Sequence, residues 1–141
     1  MKEVFVISDL HVGGAAPQGN DTRGFQICTQ TATLADFIYN LAARKDAYIE
    51  LIINGDVVDF LAERSFAAFT PTPTEAVAKL RQIVEREYQF FDSLKALLEA
   101  DHQLTVLLGN HDIELALPAV RTYFEEVIGA QGRNYRFIGN G

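Results

Sequence analysis

The segment Leu51-Ile52-Ile53-Asn54-Gly55-Asp56-Val57-Val58-Asp59 constrains the fold of this chain more than any other. It is an apolar run of strand length closed by glycine, followed by two carboxylates three positions apart. Short, nearly continuous apolar runs are the pattern of parallel strands buried on both faces. Open α/β sheets gather their chemistry beyond the carboxyl ends of such strands. Asp56 and Asp59 therefore lie where ligands are expected, on a turn that Gly55 lets bend sharply.

The pattern occurs twice more. Upstream, Val4-Phe5-Val6-Ile7-Ser8 runs into Asp9-Leu10-His11; downstream, Leu104-Thr105-Val106-Leu107-Leu108 runs into Gly109-Asn110-His111-Asp112. Three apolar strands thus each deliver oxygen or imidazole groups at their C-terminal ends. Between them the spacing predicts helices. One starts at Thr31 or Thr33, either of which suits a cap, and runs to about Lys45 with Leu34, Phe37, Ile38 and Leu41 on one face. A longer one opens at Thr74-Glu75 and ends near Ala100. Its stripe is Val77, Leu80, Val84, Tyr88, Phe91, Leu94 and Leu98, the face a helix needs to cover a sheet.

A third helix, near Ala119–Ile128, begins at Pro118, a favoured first-turn position, and Asn134–Ile138 reads as a further strand. The stretches Val12–Gln30, with four glycines and Pro17, and Ala62–Pro73 read as irregular connections. The first is long enough to be functional or mobile. His102 reads as a solvated residue at a helix end, remote from the motifs. Strands alternating with helices imply an α/β fold with a mostly parallel sheet.

With 141 residues, 48% of them hydrophobic, one domain with a sizeable core is expected. No apolar run approaches the roughly 20 residues that span a bilayer. The N-terminus lacks a signal-peptide core, and Cys28, the single cysteine, excludes an internal disulfide. A cytoplasmic location is the expectation. The formal charge of −7 argues against broad binding to nucleic-acid backbones, which requires a basic face. It leaves anionic substrates open, because bound divalent cations reverse the local sign. Oligomeric state is not legible.

The motif residues are a metal-ligand set. Asp9 and His11, two apart on an extended segment, project to one side and offer a carboxylate oxygen and an imidazole nitrogen. Asp56 adds a carboxylate able to bridge two ions, and Asn110 adds a neutral amide oxygen. Such a mixed set suits Mn, Fe, Zn or Mg and lacks the thiolates of a structural zinc site. Two ions about 3.5–4 Å apart can hold a hydroxide and polarise a phosphoryl group for in-line attack. His111, beside a ligand but not one itself, suits protonation of the leaving oxygen. Singly, each motif is a common turn or cap. In this order, each after a buried strand, they are specific.

The series Asp9-x-His11, Gly55-Asp56-x-x-Asp59, Gly109-Asn110-His111-Asp112 resembles the calcineurin-like metallophosphoesterases over about the whole chain. The resemblance implies an α/β/β/α sandwich with a dinuclear centre of two divalent metal ions at its edge. It further implies that Asp9 and His11 bind the first ion, Asp56 bridges and Asn110 binds the second. His111 is then the leaving-group acid and Asp59 the carboxylate that orients its ring. Asp112 stands where the family accepts Asp or Glu, as a helix-start residue or one behind the ligands. One branch, which cleaves a UDP-sugar pyrophosphate, has Arg where this chain has His111.

The family completes its site with further histidines, and none follows His111 here. The expectation is therefore residues 1–141 as the N-terminal part of a phosphoesterase domain, truncated to a first βαβαβ half, with an apolar sheet face left for something to cover. The expected activity is metal-dependent hydrolysis of a phosphoester, whether monoester, diester or pyrophosphate, in a phosphorylated small molecule or nucleotide. An inactive scaffold protein is the alternative, against which the retention of His111 argues. A plain nucleotide-binding domain is disfavoured, since no Gly-x-Gly-x-x-Gly or Walker-type loop follows the first strand.

Overall fold

Helix and strand alternate through a computed structural model that describes residues 1–14, 28–60, 62–63 and 72–139. The strands are β1 (Lys2–Ile7), β2 (Tyr48–Asn54), β3 (Gln103–Leu107) and β4 (Tyr135–Ile138). They form one sheet in the order β1-β2-β3-β4, parallel throughout. The helices are α1 (Thr31–Ala42), α2 (Pro73–Arg86), α3 (Tyr88–Glu99) and α4 (Pro118–Val127), with a 3-10 turn at Ile113–Ala116. For parallel neighbours in sequence order, the right-handed crossover rule puts the connecting helices on one face. The fold is α/β, with an all-parallel four-stranded sheet.

Side-chain alternation along the strands shows the same one-sidedness. Ile49, Leu51, Ile53, Leu104 and Val106 point into a core shared with Ile38 and Leu41 of α1 and Phe91 and Leu94 of α3. On the other face of β1, Val4 and Val6 are 51% and 61% exposed. The middle of that face is polar: Glu50 pairs with Lys2 at 3.0 Å and accepts from Thr105 at 3.3 Å.

The longest predicted helix is in fact two. α2 starts one residue before Thr74, capped by Thr72, whose hydroxyl accepts from the Glu75 N–H at 3.2 Å. The chain leaves helical geometry at Glu87 (φ −112°, ψ 38°) and restarts as α3. The break shifts the apolar phase. α2 buries Ala76, Leu80 and Ile83, α3 buries Phe90, Phe91, Leu94 and Leu97, and Tyr88 of the predicted stripe is exposed. Glu87 itself accepts a 2.7 Å bond from Thr31. Thr31 is thus the first residue of α1 rather than its cap, and α1 ends at Ala42, short of Lys45.

His102 is buried rather than solvated, and its Nδ1 accepts from the Ile49 N–H at 3.1 Å, tying the start of β3 to β2. The greater part of the two predicted irregular connections, residues 15–27 and 64–71 with Phe66 and Phe69, lies outside the described residues. No helix among the described residues is long and apolar enough to cross a membrane.

Candidate metal centre

Three chain segments leave the C-terminal ends of β1, β2 and β3 and are laced together by backbone bonds. The N–H groups of Asp9, His11 and Val12 donate to the carbonyls of Gly55, Asp56 and Val57 at 3.4, 2.8 and 3.1 Å, and Asp59 returns a bond to Val12 at 3.0 Å. Phe60 donates to the His111 carbonyl at 3.1 Å, which draws in the third segment. The parallel ladder between β1 and β2 thereby continues past the strands to a bridge between Val12 and Val58.

Within this lacing Asp9, His11 and Asp56 adopt left-handed backbone, at φ 55°, 48° and 51°. Such a conformation costs a non-glycine residue about 1–3 kcal/mol and gathers at functional sites. Asp9 and His11 therefore do not converge by extended-strand alternation. They converge because the backbone turns at each of them. Gly55, at φ 85°, supplies the turn before Asp56. Gly109 has a different role. A Cβ there would collide with the backbone and carboxylate of Asp56, so only glycine lets the β3 loop lie against the β2 loop.

One ligand atom from each of Asp9, His11 and Asp56 lies within 4.8 Å of the others. His11 Nε2 stands 3.7 Å from Asp56 Oδ2. The backbone N–H of His111 donates to Asp56 Oδ1 at 2.9 Å, holding that carboxylate between the segments. The terminal amide of Asn110 brings one atom to 3.3 and 3.1 Å from the two Asp56 oxygens. With nitrogen there it donates to Asp56. With oxygen there three acceptors converge, an arrangement that a cation stabilises. Half a turn of one side chain thus converts Asn110 from donor to ligand, so the donor set fits a divalent ion.

A second grouping, His11, Asp59 and His111, is equally close, but hydrogen bonding accounts for it. Asp59 is 1% exposed, and its Oδ2 lies 3.2 Å from Nδ1 of both His11 and His111, while Oδ1 accepts from Ala62 N–H at 3.1 Å. A carboxylate only accepts, so both rings present their Nδ1–H to it and turn Nε2 outward. The two rings stand perpendicular, 4.6 Å apart between centroids. The resemblance implies a link from Asp59 to His111, and the structure adds one to His11.

Asp112 is fully buried, and its oxygens accept from Val57 N–H at 2.8 Å and Gly109 N–H at 2.7 Å. Its side chain braces the β2 and β3 loops, while its backbone opens the 3-10 turn, where the Leu115 N–H donates to its carbonyl at 2.9 Å. Burial raises its carboxyl to about 6, and the two backbone donors oppose that shift. Behind the site, the buried carboxylate of Glu63 accepts from Gly14 N–H at 2.6 Å and pairs with Arg86 of α2, joining both ends of the lacing to a helix. Glu63 and Arg86 carried no signal in sequence, because each acts through a partner remote along the chain.

The corner therefore offers carboxylate, imidazole and amide donors in one concentrated, electronegative place, with a second imidazole fixed alongside. A family model for calcineurin-like phosphoesterases matches residues 2–140. Searches of curated proteins and of solved structures returned no match.

Proposed function

Because this chain belongs to the calcineurin-like phosphoesterase family, we propose that the corner built by Asp9, His11, Asp56 and Asn110 is a divalent-metal centre for phosphoester hydrolysis. The convergence of three motif segments on Asp56 carries this reading: its carboxylate meets His11, the His111 backbone and the Asn110 amide at once. Asp9, His11 and Asp56 would hold a first ion, and Asp56 with Asn110 a second. Mn, Fe, Zn and Mg all suit the set. When bound, the ions supply charge that activates water and neutralises the phosphoryl oxygens.

His111 carries the proton. With its Nδ1–H on Asp59 at 3.2 Å, its Nε2 faces outward to donate to the departing oxygen. Asp59 also accepts from His11 Nδ1–H, leaving an unprotonated His11 Nε2 as the electron-pair donor toward the ion. A monoester, a diester or a pyrophosphate presents the same phosphoryl and leaving oxygens, so the residues named suit any of them. A scaffold without turnover would need the ligands but not a second imidazole aligned on Asp59.

Manganese titration by calorimetry, with elemental analysis of the dialysed protein, tests the centre. Wild type should take up at least one ion per chain, and Asp56→Asn should take up far less. Equal, negligible uptake by both would refute convergence. Hydrolysis of a chromogenic phosphodiester, dependent on added metal, would then separate an enzyme from a scaffold.

A further inference from the structure

A groove opens beside the metal corner, and Asp9 belongs to both. Gln30, Thr33, Leu34 and Phe37 recur at helical spacing, so they share one face at the start of α1. With Asp9 and Leu10 they line an open hollow of about 500 Å³, within the range of small-molecule sites. Its surface is mainly apolar, yet not closed. Leu10 and Leu34 are half-buried and Phe37 is 37% exposed. Phe37 is held in place by Phe5 of β1, to which it stands nearly perpendicular at 6.1 Å between centroids. Leu10, Leu34 and Phe37 form a fixed apolar wall running up to a carboxylate of the metal set.

The lining also says what it excludes. None of the described lining residues is cationic, and Asp9 is an acid. Among the described residues, no cation is present there to pair with a second phosphate or another anionic group. At the rim, Gln30 Oε1 accepts from Thr33 Oγ1 at 3.4 Å, which turns the amide N–H pair of Gln30 away from Thr33. Those donors suit ring heteroatoms, which an alkyl chain lacks.

We propose that this groove receives a planar aromatic group, an aryl ring or a nucleobase, borne by the phosphoester whose phosphoryl group lies on the metal corner. The ring packs against Phe37, Leu34 and Leu10, and aromatic pairing with Phe37 adds to simple area burial. The inference rests on the metal-centre reading above and deepens it by naming a substrate class.

The test uses phenylphosphonate and methylphosphonate, whose C–P bonds resist hydrolysis, titrated into the 141-residue chain with and without magnesium or zinc. With metal, phenylphosphonate should bind about 10-fold more tightly, the ratio expected from partly burying one ring. Phe37→Ala should bring that ratio close to one while leaving methylphosphonate affinity unchanged. Should Phe37→Ala loosen the fold by losing its contact with Phe5, NMR of the wild type decides instead. Ring-current shifts at the Leu10 and Leu34 methyls with phenylphosphonate, and not with methylphosphonate, are expected. Equal affinities for the two ligands, or shifts elsewhere only, would overturn the groove and leave the metal centre standing. Binding of both ligands that ignores the metal would overturn the metal-centre reading, and this proposal with it.

Discussion

Asp59 lends one carboxylate oxygen to two imidazoles, and that sharing separates it from both of its partners. His111→Ala should leave metal uptake near the wild-type level, since no ligand is removed. In an assay where the complete site turns over, it should slow hydrolysis by about 10²–10⁴-fold, the usual contribution of a general acid. The loss should shrink for nitrophenolate esters, whose leaving groups need little protonation. Asp59→Asn should instead act on both counts. It removes the acceptor of His11 as well as of His111, and loss of such a supporting partner typically weakens metal affinity by about 10–100-fold. Metal titration of the two variants side by side checks this. Unchanged metal affinity in Asp59→Asn would mean that His11 does not depend on it. Gly109→Ala is the third test at this scale. The added methyl meets Asp56 directly, so a loss of about 1–3 kcal/mol is expected from overpacking. Metal uptake should fall with it, because the β2 and β3 loops are forced apart. Urea unfolding and metal titration read the two effects separately.

At the scale of elements, the break at Glu87 is the instructive one. Periodicity is continuous enough across residues 74–100 to suggest one helix, because both halves are amphipathic. The break comes from a change of partner. α2 packs on α4 and α3 on α1 and β3, and the Thr31 hydroxyl holds the Glu87 side chain at the junction. The cap assignment gives a measurable consequence. Thr72→Ala should cost about 1 kcal/mol, because the Glu75 N–H loses its acceptor. Thr74→Ala, in an exposed first turn, should stay within about 0.5 kcal/mol of wild type. Chemical denaturation of both variants checks this, and a reversed order would place the helix start at Thr74.

For the molecule as a whole, the governing contrast is between the helix side of the sheet and the exposed side of β1. Ile53 is fully buried on the helix side, whereas Val6, its neighbour's partner across β1 and β2, is 61% exposed on the other. Ile53→Ala should cost about 2–5 kcal/mol through lost burial and the cavity left behind. Val6→Thr should change stability by no more than about 0.5 kcal/mol. Thermal and urea unfolding of the two variants measure the contrast. A large loss in Val6→Thr would show that the open face is covered in solution.

Strand positions and the motif residues were legible because they depend on near neighbours: apolar runs, glycine turns and the residue types that follow them. The sequence by itself thus determined an α/β chain with Asp9, His11, Asp56, Asn110 and His111 gathered at the strand ends. What it left open depends on residues far apart along the chain. Asp112 reads as a helix start or a residue behind the ligands, and the loop it braces is fixed only when Val57 is seen donating to it across 55 positions. His102 reads as solvated until the Ile49 N–H is found on its ring. Gly109 reads as an ordinary turn residue until Asp56 occupies the place of its missing Cβ. In each case the deciding partner belongs to another strand or its loop. Only the packing of the folded sheet brings the two together.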